Sequence, residues 1–297
     1  MKIEVAIPCY NEEQTVAKVA MDFKTALPDA DIVVYDNDSD DATAEVARKA
    51  GARVVRVNRR GKGYVVQTIF ESSPADLLVM VDGDDTYEAA DVLALIAPII
   101  DNQADMTIGT RLHTTESEFR RMHHLGNRAL TLVMNTMFGT VHTDILSGYR
   151  VFSRQFRQSV PLISTGFEIE TELMIQALSN GMMVKEVPIR FRQRPPGSTS
   201  KLSSFKDGYR ILLTMAVLLR DHRPLFTFSL AGSAFFIVGA SVWLYAVLSN
   251  RTVGAFSLQA AGVVFMELAA GFVLVGFILS TINTRMRELW SLLRRRS

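Results

Sequence analysis

Nine residues, Val79-Met80-Val81-Asp82-Gly83-Asp84-Asp85-Thr86-Tyr87, join the fold of this chain to its chemistry. The apolar run 77–81 has the composition of a strand buried on both faces, and it stops abruptly in three carboxylates and a glycine. An acidic cluster at the C-terminal end of such a strand points into the ligand crevice of an open α/β sheet. Carboxylates on alternate residues, Asp82 and Asp84, can share one hard divalent cation with a nucleotide diphosphate, and Gly83 between them lets a ligand approach the backbone. Taken alone, the same residues read equally well as a solvated Asp-Gly turn, so their surroundings decide.

On both sides of that stretch, residues 1–110 alternate short apolar runs with amphipathic ones, the pattern of a mainly parallel sheet with helices on both faces. Strands are expected near 3–8, 31–36, 52–57, 76–81 and 105–109. Asn11 is expected to cap a helix that opens with Glu12 and Glu13 and turns Val16, Val19, Ala20 and Phe23 to the core. No G-x-G-x-x-G follows the first strand and no G-x-x-x-x-G-K-[ST] occurs, which removes the dinucleotide and P-loop readings. A net charge of +1 with 48% hydrophobic residues excludes a disordered chain and a globally basic nucleic-acid binder. Cys9 is the only cysteine, so no internal disulfide forms, and it is expected to pack as a small apolar residue. The N-terminal residues 1–8 read as a strand, not as a secretion signal.

The expected strand ends carry Pro8-Cys9-Tyr10-Asn11-Glu12-Glu13, then Tyr35-Asp36-Asn37-Asp38-Ser39-Asp40-Asp41-Ala42-Thr43, then Asn58-Arg59-Arg60-Gly61-Lys62-Gly63, then the acidic cluster. In this order the motifs resemble the family 2 glycosyltransferases of GT-A fold, within them the polyprenyl-phosphate, dolichyl-phosphate-mannose-synthase-like branch, over most of residues 3–201. The resemblance implies that Pro8, Tyr10, Glu12, Asp36 and Asn37 hold the base and ribose, that Lys62, Asp82 and Gly83 contact the nucleotide, and that Asp84 binds Mg2+ or Mn2+. Asp82 and Thr86 complete the implied metal set; Thr86 stands where relatives often carry a glutamine, and Asp36-Asn37-Asp38-Ser39 stands for the usual Asp-Asp-Gly-Ser. Asp40 and Asp41 are read as a helix-capping turn.

The resemblance continues through Thr110-Arg111, Phe119-Arg120-Arg121 and Asp144-Ile145-Leu146-Ser147-Gly148-Tyr149-Arg150. It implies Arg111 and Arg121 near phosphates and the Ser-Gly-aromatic-Arg segment, with Asp144 and Arg150, beside the donor sugar. Arginine suits phosphate because its planar fork donates bidentately and stays charged. In 125–138, Leu125, Leu132, Val133 and Met137 fall on one side of a helix suited to a membrane surface. The acidic residues of Gly166-Phe167-Glu168-Ile169-Glu170-Thr171-Glu172-Leu173 suit the first turn of a helix by its dipole, and a strand is expected at 183–192. Lys201 lies in a linker, 194–202, that resembles the Gly-x-Ser-Lys segment of the family and carries a positive charge toward the phosphates.

The C-terminal third changes solvent. Segments 225–248 and 257–282 each exceed the about 20 apolar residues that span a bilayer core. Arg220 and Arg223 precede the first, Arg285 and Arg287 follow the second, and Arg251 stands alone between them, which predicts both ends on the cytoplasmic side. Residues 209–219 are too short to span and read as an interfacial helix, the alternative being a helix packed under the catalytic domain. Glu267, near the middle of the second span, is expected to face protein, bonding Ser241 or Tyr245 or a neighbouring subunit.

The domains expected are therefore a GT-A glycosyltransferase domain at 1–195, a linker and interfacial helix at 196–223, a two-helix transmembrane hairpin at 224–283 and a basic cytoplasmic tail at 284–297. The expected activity is transfer of one sugar from a UDP- or GDP-sugar to polyprenyl phosphate with inversion. The partners implied are a nucleotide sugar, polyprenyl phosphate and the lipid bilayer, with a homo-oligomer left open and nucleic acid excluded. A processive polysaccharide synthase is disfavoured because no Gln-x-x-Arg-Trp occurs. A synthase acting on a neutral lipid hydroxyl needs a base, for which Asp144 is the available carboxylate. A non-catalytic membrane scaffold is disfavoured by the joint survival of so many metal- and phosphate-binding positions.

Overall fold

The computed structural model describes residues 1–111, 127–128, 130–136, 138–195, 204–249 and 255–294. Two compact units divide the chain, Met1–Met215 and Ala216–Ser297. The first holds a seven-stranded sheet made of β1 (Ile3–Cys9), β2 (Asp31–Asp36), β3 (Arg53–Arg56), β4 (Leu77–Met80), β5 (Met106–Arg111), β6 (Arg150–Ser153) and β7 (Val184–Ile189). Their order is β3-β2-β1-β4-β6-β5-β7, all parallel except β6, which runs antiparallel to both of its neighbours.

β4 forms where it does because Leu77, Leu78, Val79 and Met80 are buried on both faces, each gaining about 1.5 to 3 kcal/mol on leaving water. Helices α1 (Val16–Ala26), α2 (Thr43–Lys49), α3 (Lys62–Ser72) and α4 (Val92–Ile100) connect the first five strands. Val16, Val19, Ala20 and Phe23 of α1 are buried together with Ile7, Val79 and Leu95, as the spacing predicts. The cap differs from expectation. Asn11 takes a left-handed backbone (φ 54°), the helix begins only after Thr15, and the Asn11 amide oxygen instead accepts the Asp40 backbone N–H at 2.8 Å. The start of α1 is thereby pinned to the loop after β2.

β6 is the strand that the sequence pattern conceals, because its four residues begin with an arginine inside a segment that reads as ligand-binding. Its register sets Arg150 opposite Met80 and Ser153 opposite Leu77. Running antiparallel, it brings Ser147-Gly148-Tyr149 alongside the acidic turn just where β4 ends. α5 (Arg154–Ser159) and α6 (Ile169–Ser179) follow. In the helical segment 130–136, Leu132 and Val133 are exposed while Leu130 and Met134 are buried; Leu125 and Met137 lie outside the described residues.

α7 (Ser204–His222) exposes Tyr209, Leu212, Leu213 and Val217 and buries Ile211, Met215 and Leu218. In the second unit, α8 (Pro224–Leu248) packs against α9 (Ala255–Arg294). Pro224–Leu248 and Ser257–Met286 are both long and apolar enough to cross a membrane. Small residues set their contact: a side chain on Gly239 would meet the Gly262 carbonyl oxygen at 2.7 Å, and one on Gly232 the Ala269 carbonyl oxygen at 2.9 Å. Phe235 stacks on Phe265 and Phe272 between them. This register sets Glu267 level with residue 234, and Ser241 lies about 10 Å further along. Glu267 is accordingly exposed on the hairpin and bonds neither Ser241 nor Tyr245, contrary to that part of the expectation.

Candidate active site

The C-terminal ends of β1, β2, β4 and β5 and the start of β6 share one edge of the sheet, and the chain order reverses between β1 and β4, the position at which open α/β sheets bind ligands. Asp82, Gly83 and Asp84 leave β4 here. The Asp84 side chain is buried, and its Oδ1 accepts both the Thr86 hydroxyl at 2.6 Å and the Thr86 backbone N–H at 3.2 Å. Arg194 Nη2 lies 2.5 Å from Asp84 Oδ2. Burial and then the charge of Asp82 raise the Asp84 pKa, while Arg194 and Thr86 oppose the rise. Thr86 thus serves Asp84 as a hydrogen-bond donor.

Asp82 is held from two sides. Lys62 Nζ, at the start of α3, lies 2.6 Å from Asp82 Oδ1 and 2.5 Å from Glu170 Oε1 of α6. Burial alone would lower the lysine pKa, but the two carboxylates raise it well above its ordinary value, so Lys62 is a permanent cation. On the other side sits Gly148, where an added Cβ would fall 2.2 Å from Asp82 Oδ2. A side chain at this position would push the Asp82 carboxylate from its place.

Gly83 answers to packing. Its missing Cβ is replaced by Cys9 Sγ, which would lie at 2.4 Å, and its carbonyl accepts the Thr15 hydroxyl at 2.6 Å. Glycine at this position lets β1 close on the acidic turn. Burial, then the charge of Glu12, pushes the Cys9 thiol up, which suits its role as a small packed side chain.

Pro8 lies in β1, and Tyr10 just beyond it stacks against Arg60, whose guanidinium carbon is 5.2 Å from the ring centroid. Glu12 is buried next to Thr15, and its backbone N–H donates to the Thr43 hydroxyl at 2.8 Å. Asp36 ends β2 and accepts the Ser39 backbone N–H at 3.3 Å. Asn37 spends its amide on the backbone, donating to Arg59 O at 2.6 Å and accepting Gly61 N–H at 2.7 Å, so it holds the loop that carries Lys62. Asp41 accepts the Thr43 N–H at 3.0 Å at the start of α2, but Asp40 pairs with Arg60 at 2.6 Å instead of capping.

At the end of β5, Arg111 and Asp144 form a bidentate pair, Nε to Oδ2 at 2.6 Å and Nη2 to Oδ1 at 2.8 Å. Asn127 and the Leu146 backbone N–H add to Asp144 Oδ1 at 3.0 and 3.2 Å. Burial raises the Asp144 pKa, but Arg111 outweighs it and holds the carboxyl below its ordinary value. Arg150 is fully buried, donating to Ser147 O at 2.9 Å and Ile145 O at 2.7 Å. It shapes the loop that places Gly148 and does not reach the crevice. Arg121 and Lys201 lie outside the described residues.

Three residues here escape the sequence reading. Glu170 is more than a dipole-stabilised acid, since it grips Lys62, and the neighbouring Glu172 accepts the Ile163 and Ser164 backbone N–H groups at 2.9 and 2.7 Å. Arg194, on Asp84, carries no local signal beyond its place in a basic linker. Among the described residues no group of three or more His, Cys, Asp or Glu is arranged to hold a metal ion. Asp82 and Asp84 thus offer oxygen ligands from at most two carboxylates, which fits a hard cation that completes its shell with phosphate and water.

The family model described as Glycosyl transferase family 2 matches residues 4–160. Glycosyltransferase AglJ of Haloferax volcanii is 33% identical over 295 residues, 96% of each chain. Dolichyl-phosphate hexose transferase of the same organism is 30% identical over 210 residues, 70% of this chain and 90% of that one. Among solved structures, glucosyl-3-phosphoglycerate synthase from Mycobacterium tuberculosis in complex with Mn2+ and UDP-glucose superposes with a TM-score of 0.61 at 23% identity, covering 73% of this chain and 78% of that one, a likeness of fold.

Proposed function

This chain belongs to glycosyl transferase family 2 and is a glycosyltransferase; from that premise we propose that it transfers one sugar from a UDP- or GDP-sugar to polyprenyl phosphate, with inversion, at the cytoplasmic face of a membrane. The division of labour proposed is transfer by 1–195, interfacial attachment by 196–223, anchorage by 224–283 and a basic tail at 284–297 on the cytoplasmic side. A relative named for transferring hexose to dolichyl phosphate supports the acceptor, and a structure holding Mn2+ and UDP-glucose supports the donor and the cation.

The observation that carries the proposal is the pairing of Asp144 with Arg111. A neutral lipid hydroxyl needs a general base, whereas Asp144 has its oxygens committed to Arg111, Asn127 and Leu146 and its pKa held low. A phosphate acceptor needs none, because a phosphate monoester has a second pKa near about 6 and is largely a dianion at neutral pH. What it needs is alignment and cancellation of charge between two phosphate-bearing substrates. Arg111, oriented by Asp144, presents its guanidinium at the end of β5; Arg121 and Lys201 are proposed to join it around the acceptor. Lys62 and Glu170 fix the Asp82 carboxylate and Gly148 leaves room for it; Pro8, Tyr10, Glu12 and Asp36 are proposed to line the base and ribose side. Asp84, with Asp82, would hold Mg2+ or Mn2+, which when bound stabilises the departing nucleotide diphosphate.

The test is a panel of nucleotide sugars incubated with membranes containing the protein and polyprenyl phosphate. One donor is expected to yield a lipid-linked sugar identified by mass spectrometry. Donor hydrolysis without lipid product for every member of the panel defeats the proposal.

A further inference from the structure

The segment that leaves β7 is laced to the loop that carries Asp84. Arg190 pairs with Asp91 at 2.9 Å, Arg192 pairs with Glu88 and lies 3.7 Å from Asp85, and Arg194 pairs with Asp84 at 2.5 Å. The backbone follows the same course: Arg192 N–H donates to Thr86 O at 2.8 Å, and Tyr87 bridges Phe191. Alternate residues of an extended segment face one side, so the three arginines form a single row against the acidic turn. The first two meet carboxylates that the proposed chemistry does not use. The third meets the one it depends on.

Asp84 Oδ1 is already taken by the hydroxyl and amide of Thr86. Oδ2 is the oxygen left for a cation, and Arg194 is on it. An oxygen with two lone pairs can accept two partners by geometry, but a guanidinium and a divalent ion repel each other across it, and the buried setting of Asp84 strengthens that repulsion.

We propose that Arg194 and the divalent cation compete for Asp84 Oδ2, so that loading the cation frees Arg194 and loosens 193–195 from the metal loop, while Arg192 keeps its hold on Thr86 and Glu88. Arg194 is then a positioning residue. The inference rests on the reading of Asp84 as the ligand of the ion.

The test uses the full chain in lipid nanodiscs without nucleotide, with Mn2+ binding followed by the electron paramagnetic resonance signal of the free ion. The Arg194–Asp84 pair is partly open to solvent, the Arg194 side chain being 31% exposed, so the competition is expected to be worth about tenfold in affinity. Arg194→Gln should bind Mn2+ about tenfold more tightly than the wild type, and Arg194→Lys, which keeps the charge, should stay near the wild type. Hydrogen exchange at the Gln193 and Arg194 amides should rise on adding Mn2+ to the wild type and should already be high in Arg194→Gln. If the wild type binds Mn2+ while Arg194→Gln binds it equally or more weakly, the proposed competition is overturned. If neither protein binds Mn2+ even after a nucleoside diphosphate is added, or if Asp84→Asn leaves Mn2+ binding unchanged, the reading of Asp84 itself falls and takes the proposal with it.

Discussion

Replacing Asp144 by asparagine separates a phosphate acceptor from a hydroxyl acceptor. The Asp144 side chain is 8% exposed and that of Arg111 27%. Breaking a fully buried ion pair costs about 3 to 5 kcal/mol and an exposed one less than about 1 kcal/mol, so this half-sheltered pair is expected to cost about 2 kcal/mol. The sign of its pH dependence follows from the lowered folded-state pKa. A depressed carboxyl contributes stability that is fully present above its unfolded value of about 4 and is lost as pH falls through the folded value. The difference in stability between wild type and Asp144→Asn, from denaturant melts of the detergent-solubilised protein, should be flat from about pH 5 upward and should shrink below about pH 4. Kinetically, a less firmly held Arg111 should lower kcat on lipid phosphate by about tenfold, whereas loss of a general base costs about 10²- to 10⁴-fold. A loss of more than a thousandfold in kcat at unchanged stability would refute the reasoning and make Asp144 the base.

Asp84→Ala should abolish divalent-dependent transfer with the fold intact by circular dichroism, and full wild-type activity in EDTA would contradict the metal role. Gly148→Ala drives a Cβ to 2.2 Å from Asp82 Oδ2 and should weaken nucleotide-sugar binding at least about tenfold by calorimetry; unchanged binding would show that Asp82 can shift without consequence. Lys201→Ala should impair transfer to lipid phosphate much more than donor binding, and equal loss of both would assign Lys201 to the donor or the fold.

β1, β2 and β4 are legible in the sequence because each is a run of apolar residues ending in polar ones, and the acidic turn after β4 marks which edge of the sheet carries chemistry. β6 is hidden because an antiparallel insertion into a parallel sheet has no periodicity of its own when only four residues long. Side-chain roles are legible as residue type and obscure as partner choice. Asn37 and Arg150 are polar residues in ligand-binding motifs, yet both spend their donors on nearby backbone carbonyls. Glu170 and Arg194 reach Lys62 and Asp84 across more than a hundred residues of chain, and only the sheet topology brings them together. Glu267 fails for a similar reason: helix register, which residue spacing alone does not fix, sets its depth relative to Ser241.

The most direct measurement offers the protein its donor nucleotide sugar together with equimolar polyprenyl phosphate and polyprenol of the same chain length, and follows both lipids by mass spectrometry. The account predicts a glycosylated lipid phosphate carrying one sugar and no glycosylated polyprenol. Sugar on the neutral alcohol, at a rate comparable to that on the phosphate, would contradict it.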